Sequence, residues 1–385
     1  MGRKARTIKM DFDKEQVCDY NKSRENYYNG FVIYLEELAK QSMDAGDFSN
    51  AEKQYLMTIN IYVDLTNKDP DRLIFKTNLA CEYKNIGNCY FWQGETEKAK
   101  FNYIKSVEFL FSLLTKAPSG FVADFDIAGK LAESLLCYAS VSVIDDDIEE
   151  TDKCATYYNK TIQILKDLCI KEPKYYQRAL FSTTYGIGFL YQSRNPKSTE
   201  KYYLETLKVA RTLIEKDGDE NARDEYFFTT MKMLEYLNEH FPDKYKYDLA
   251  ISYADLGERL LSRDNNEALS FYSQAIKLLI DLEDKYNDNI DYELSDCLKH
   301  LGYILFQQGD IKNATGCYKQ SISHLLKHIK EKPEMFEPML AECFFNYGMI
   351  SSEAEYVKMS AAIAEKYPDN STCKLILKKI EELFN

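Results

Sequence analysis

The chain has 385 residues, 45% hydrophobic and 29% charged, enough to fold and bury a core as two average domains or one elongated repeat array. Its 15 glycines and 8 prolines are too few for β-sandwiches, collagen-like segments or disordered linkers. With 62 acidic against 49 basic residues the formal charge is −13, which repels phosphate backbones and anionic membranes, so neither nucleic acid nor a membrane is the expected partner. Residues 1–26 are expected to be a flexible basic arm; Arg3, Lys4, Arg6 and Lys9 lack the apolar run behind them that a signal peptide or anchor needs.

Beyond the arm one tyrosine recurs with the same neighbours, at Tyr55, Tyr103, Tyr158, Tyr203, Tyr272 and Tyr318. Four residues before each stands a small side chain: Ala51, Ala99, Cys154, Thr199, Ala268 and Ala314. Fifteen residues after each comes a helix breaker or turn former: Pro70, Pro118, Pro173, Gly218, Asn287 and Pro333. Residues four apart share a helix face, so the small residue admits a neighbouring helix while the tyrosine fills the adjoining groove. The expected tyrosine hydroxyl is wet, at the rim of its groove. Each copy predicts a helix of roughly 20 residues, about 30 Å long, ending at the breaker.

A turn recurs ahead of the small residue, at Gly46-Asp47, Gly94-Glu95, Arg194 to Pro196, Asp264 to Asn266 and Gly309-Asp310. In front of the turn lies a second amphipathic stretch, such as Leu79 to Trp92 or Leu294 to Gln307. The unit is helix, tight turn, longer helix. Residues 27–218 hold the first four copies and 246–385 the remainder, closing with a terminal helix from Ser371 to Phe384 that caps the stack. Between them, the 69-residue interval from Tyr203 to Tyr272 has room for an extra helix from Asn221 to His240, carrying Tyr226, Phe227, Met231, Leu234 and Leu237, and predicts a kink near 219–245.

These columns resemble the tetratricopeptide-repeat family, whose pattern pairs Leu-Gly and an aromatic on the first helix with small and aromatic residues four apart on the second. The second copy matches through Ile86, Gly87, Tyr90, Gly94, Ala99 and Tyr103, and the sixth through Leu301, Gly302, Gly309, Ala314 and Tyr318. The fourth and fifth have turns one residue shorter after Gly188 and Gly257, and the third has Ser142 where the glycine stands elsewhere. All copies are longer than the family's norm, so the nearer likeness is to long-helix arrays. The resemblance implies an all-α superhelical array of antiparallel helix hairpins, about sixteen helices, with first helices lining a concave groove. It implies an adaptor that binds a protein or peptide in that groove; the alternatives are a peptide-sensing regulator that switches an effector and an enzyme with an unrecognised site.

The family's carboxylate clamp uses Lys and Asn from one repeat with polar or basic residues from the next two. Lys84 and Asn88 match half of it, with Phe91 on the same face, whereas Ser140, Ser182 and Gly186 do not complete it. In the sixth copy Asp296, Lys299, Tyr303 and Phe306 form a charged, aromatic face that either takes a peptide or packs on the next hairpin. His324 and His328 are four apart, but no third ligand accompanies them, so no metal is expected. No G-x-S-x-G elbow or Gly-rich phosphate loop occurs, so neither a catalytic residue nor a cofactor is expected. The ten cysteines include no C-x-x-C pair and read as reduced, cytoplasmic thiols. An acidic protein of this kind is expected to bind a basic or polar partner.

Overall fold

Apolar residues at three- and four-residue intervals, punctuated by Gly, Asp and Pro, produce helices throughout. The computed structural model describes residues 30–144, 148–216, 220–261, 263–282 and 288–384, and among these it holds seventeen helices and no strand. They are α1 (30–44), α2 (Phe48–Lys68), α3 (Leu73–Trp92), α4 (Thr96–Lys116), α5 (Ser119–Asp124), α6 (Ile127–Ile144), α7 (Ile148–Lys171), α8 (Pro173–Tyr191) and α9 (Pro196–Lys216). There follow α10 (Glu220–His240), α11 (Pro242–Leu260), α12 (Asn265–Ile280), α13 (Asp288–Gln307), α14 (Ile311–His328), α15 (Pro333–Ser351), α16 (Ala354–Ala364) and α17 (Ser371–Phe384). The helix beyond the expected sixteen is α5, whose six residues make less than two turns and show no periodicity. Two compact units divide between Val209 and Ala210, inside α9.

The repeated columns explain the packing. All six small residues are buried, as are the six tyrosines that follow them. Opposite the tyrosine stands a small residue of the first helix: a Cβ added to Gly87 would lie 2.6 Å from the Tyr103 ring, and one added to Gly188 2.4 Å from the Tyr203 ring. Gly257 under Tyr272 and Gly302 under Tyr318 are tight as well, each at 3.0 Å. In the third hairpin Ser142 is buried where the glycine stands elsewhere, and Tyr158 lies instead against Gly186 of α8. The expectation of wet hydroxyls is corrected here. Tyr103 donates to Asn88 Oδ1 at 2.8 Å, and the hydroxyls of Tyr158 and Tyr272 are enclosed without a partner. The ring is drawn so far under the glycine that its polar end enters the core.

Turn length follows from the same register. Gly87 precedes Tyr103 and Gly302 precedes Tyr318 by sixteen residues, and the additional residue is a glycine in the left-handed region, Gly94 at φ +77° or Gly309 at φ +82°. Gly188 and Gly257 precede their tyrosines by fifteen, and the glycine is gone. The following helix is capped by a short polar side chain: Asp47, Asn195, Asp264 and Asp310 each accept from backbone N–H groups of the first turn. Pro173 and Pro333 end one helix and occupy the first turn of the next, where a missing N–H costs nothing. Gly218 and Asn287 lie outside the described residues.

Helix α6 has the length and composition to cross a membrane, yet more than half of it is buried against α4, α7 and α8. In the second unit α10 packs on α11, where Asp224 accepts from Arg259 and from Arg263 Nη1 at 2.7 Å. Burial opposes ionisation of Asp224, but the two guanidinium groups hold its pKa below the usual carboxylate value.

Candidate functional site: clefts between first helices

Successive first helices touch one another, α3 with α6 in one unit and α13 with α15 in the other. On α13 the intervals between Asp296, Lys299, Tyr303 and Phe306 place all four on one face. The aromatic pair is left in solvent, Tyr303 44% and Phe306 40% exposed. Asp296 and Lys299 instead line a cavity of about 420 Å³ shared with Tyr292, Met339 and Glu342. Lys299 is buried there, donating to Asp296 Oδ1 at 2.8 Å and to Glu342 Oε2 at 3.1 Å. Burial alone would lower its pKa, but the two carboxylates raise it, so the ammonium stays charged.

On α3 the structure commits Lys84 and Asn88 to neighbouring helices. Lys84 Nζ pairs with Glu133 Oε2 of α6 at 2.6 Å, and Asn88 holds the Tyr103 hydroxyl of α4. Phe91 is partly buried against the core, its ring centre 5.7 Å from that of the exposed Trp92 in an edge-to-face arrangement.

A second cavity, of about 560 Å³, opens between α1 and α3 and is lined by Glu36, Tyr62, Phe75, Asn78, Glu82 and Asn85 among others. Asn78 donates to the Tyr62 hydroxyl at 3.0 Å, and that hydroxyl donates to Glu36 Oε1 at 3.4 Å. Glu82 is buried, with one carboxylate oxygen taking the Asn85 amide at 3.1 Å and the other without a partner. Burial first, and the Glu36 charge next, push its pKa up to about 8. The sequence carries a signal for it: Glu82 falls on the buried stripe of Phe75, Leu79, Ile86 and Tyr90, where a carboxylate is out of place.

His324 and His328 do share a face, and both ring systems bond to the buried Asp291, His328 Nε2 at 2.7 Å with Lys327 Nζ at 3.1 Å beside it. Burial opposes ionisation of Asp291, while these partners hold its pKa low, so the cluster is a charge-satisfied knot joining α13 to α14. Among the described residues no three His, Cys, Asp or Glu side chains are grouped to hold a metal ion. Nine described cysteines are free, and burial raises the pKa of thiols such as Cys154, Cys297 and Cys343.

No family model and no curated protein matches the sequence. Among solved structures, BtubC from P. vanneervenii is 17% identical, with 72% of this chain and 90% of that one covered at a TM-score of 0.34. The S. pombe protein Nro1, described as a nuclear import adaptor, is 15% identical over 80% of this chain and 94% of its own, with a TM-score of 0.39. The apo form of RapI is 14% identical over 88% of this chain and 99% of its own, with a TM-score of 0.37. The helix pairs themselves define the class. With Gly87, Gly188, Gly257 and Gly302 of first helices each under a tyrosine of the second, the described residues form an all-α array of helix hairpins.

Proposed function

We propose that the protein is a non-catalytic interaction scaffold that holds a polypeptide segment of a partner against the faces of its first helices. The observation that supports this best is the α13 face: two aromatic rings at 44% and 40% exposure share it with Asp296 and Lys299, which with Glu342 wall a cavity. Aromatic anchors next to charged groups of fixed geometry are the composition of a recognition surface. The formal charge of −13 favours a basic or polar partner over nucleic acid or an anionic membrane, and free thiols suit a cytoplasmic setting. Nothing in this reading requires a cofactor.

Immobilised protein tests it by photo-crosslinking from position 303 and quantitative capture. Replacing Tyr303 and Phe306 together by Ala is expected to weaken the captured partner roughly tenfold or more, the loss typical of an aromatic hot spot, with unchanged helicity. Undiminished capture would remove α13 from the binding surface.

A further inference from the structure

Among the described residues, neither carboxylate of the cavity between α1 and α3 has an ion-pair partner. Two carboxylates, Glu36 and Glu82, line it together, with Tyr62 and the Asn78 and Asn85 amides around them. One oxygen of Glu82 is buried with no hydrogen-bond partner, and an orphan of this kind in a wall that still opens to solvent is costly unless something arrives to satisfy it. The remaining wall is apolar, with Ile74, Phe75 and the exposed Ile33. Among the described residues that line it, the one cation is Arg72, whose guanidinium lies 4.8 Å from the centre of the Phe75 ring among its contacts.

We propose that this cavity is a subsite for a basic side chain, lysine or arginine, of the polypeptide that the scaffold holds. The apolar wall takes the methylene stem and the two carboxylates take the cationic head, whose N–H groups satisfy the orphan oxygen of Glu82. A bare divalent cation fits less well: among the described residues no group of three acidic, His or Cys side chains is arranged to hold a metal ion, and the apolar wall would have no task. The proposal deepens the scaffold reading and names the chemistry of one contact in it.

The site predicts a proton linkage. With its pKa near 8, Glu82 is mostly protonated at pH 7 in the free protein, and a cation binds only the ionised form. Binding therefore releases close to one proton at pH 7, and affinity climbs with pH until it levels off above 8. The other titratable and charged groups around Glu82 are Glu36 of α1, Tyr55 and Tyr62 of α2, and Arg72, Cys81 and Lys84 at or on α3. Burial raises both phenols and the thiol. Lys84 is raised too, the Glu133 carboxylate outweighing the burial that would lower it. Without ligand the sign is opposite: a raised carboxyl contributes its stability fully below the unfolded pKa near 4.5, and that stability is lost as the pH rises through 8.

The test is titration calorimetry of the full chain with acetylated, amidated pentalysine, pentaarginine and pentaglutamate, each at pH 7 in two buffers of different ionisation heat. The expected result is binding of the two basic peptides only, with proton release. Glu82→Gln should weaken binding about tenfold, the loss of one charge-assisted hydrogen bond, and abolish both the proton release and the pH dependence. Glu381→Gln removes an acidic group at an exposed position, a change in net charge at least as large as that of Glu82→Gln, and should leave binding unchanged. Circular dichroism checks whether Glu82→Gln is folded, and Glu36→Gln serves as a second, milder variant that should also weaken binding of the basic peptides. Equal binding of pentaglutamate, equal losses in the Glu82 and Glu381 variants, absence of proton release, or calcium alone displacing pentalysine would each overturn the proposal. If the partner captured at α13 is retained while pentalysine fails to bind, this subsite is wrong and the scaffold reading stands.

Discussion

Gly87 lies so close beneath Tyr103 that the usual sign of a helical Gly to Ala exchange is reversed. In an open helix position Ala is favoured by roughly 1 kcal/mol, but a methyl group 2.6 Å from a buried ring carbon must displace the ring or the helix, at about 1–3 kcal/mol. Gly87→Ala is therefore expected to destabilise the protein, by up to ~2 kcal/mol after the two effects are combined. Gly316, with no atom within 4 Å of its added Cβ, should gain ~0.5–1 kcal/mol on the same exchange. Urea denaturation of the two variants checks the contrast, and a Gly87→Ala protein as stable as the parent would mean that the ring is not fixed. The small-residue and tyrosine columns were legible because spacings of four, fifteen and sixteen residues are direct images of helix geometry and turn length. The hydroxyl of Tyr103 was not, since its partner Asn88 comes from another helix and had every mark of a groove residue.

At the scale of the element, the helix starts differ in how well they are capped. Asp47, Asp264 and Asp310 accept hydrogen bonds from their first turns, whereas Glu95, at the same place before α4, makes no such bond. Its longer side chain turns to Lys98 at 2.5 Å, an exposed ion pair worth little. Glu95→Asp is accordingly expected to raise stability by about 0.5–1 kcal/mol, and Asp310→Ala to lower it by about 1 kcal/mol, read as opposite shifts in thermal midpoint. A fall for Glu95→Asp would show that the ion pair outweighs a cap. The boundaries of α8, α15 and α17 followed directly from Pro173, Pro333 and the Ser371 to Phe384 pattern. Helix α5 was invisible because one and a half turns carry no period, and Pro118 reads as a stop although the chain turns helical again directly after it.

At the scale of the whole molecule, stability is local. One continuous buried cluster runs through the first unit from Val32 to Tyr202, and in the second a separate cluster joins Tyr318 of α14 to Phe336 and Phe344 of α15. Each helix rests on its neighbours in sequence and near-sequence, so a defect should spread only to adjoining repeats. Phe336→Ala, which empties a fully buried aromatic site, should cost about 3–5 kcal/mol and lower hydrogen-exchange protection in α13 to α15 while leaving α2 to α4 unchanged. Loss of protection in both units together would contradict that independence. The amino-acid order by itself determined the helices, their turns and the pairing of small with aromatic faces, because these depend on residues within a hairpin of one another. Only the tertiary structure decided which charges are buried. Lys299 and Asp291 look like ordinary surface residues of amphipathic helices and Glu82 like a misplaced one, and their environments are assembled by side chains from other helices, as many as 46 positions away for Glu82 and Glu36 and 43 for Lys299 and Glu342. Burial is a property of what packs on a side chain, and a local stripe such as that around Glu82 signals it without naming the partners.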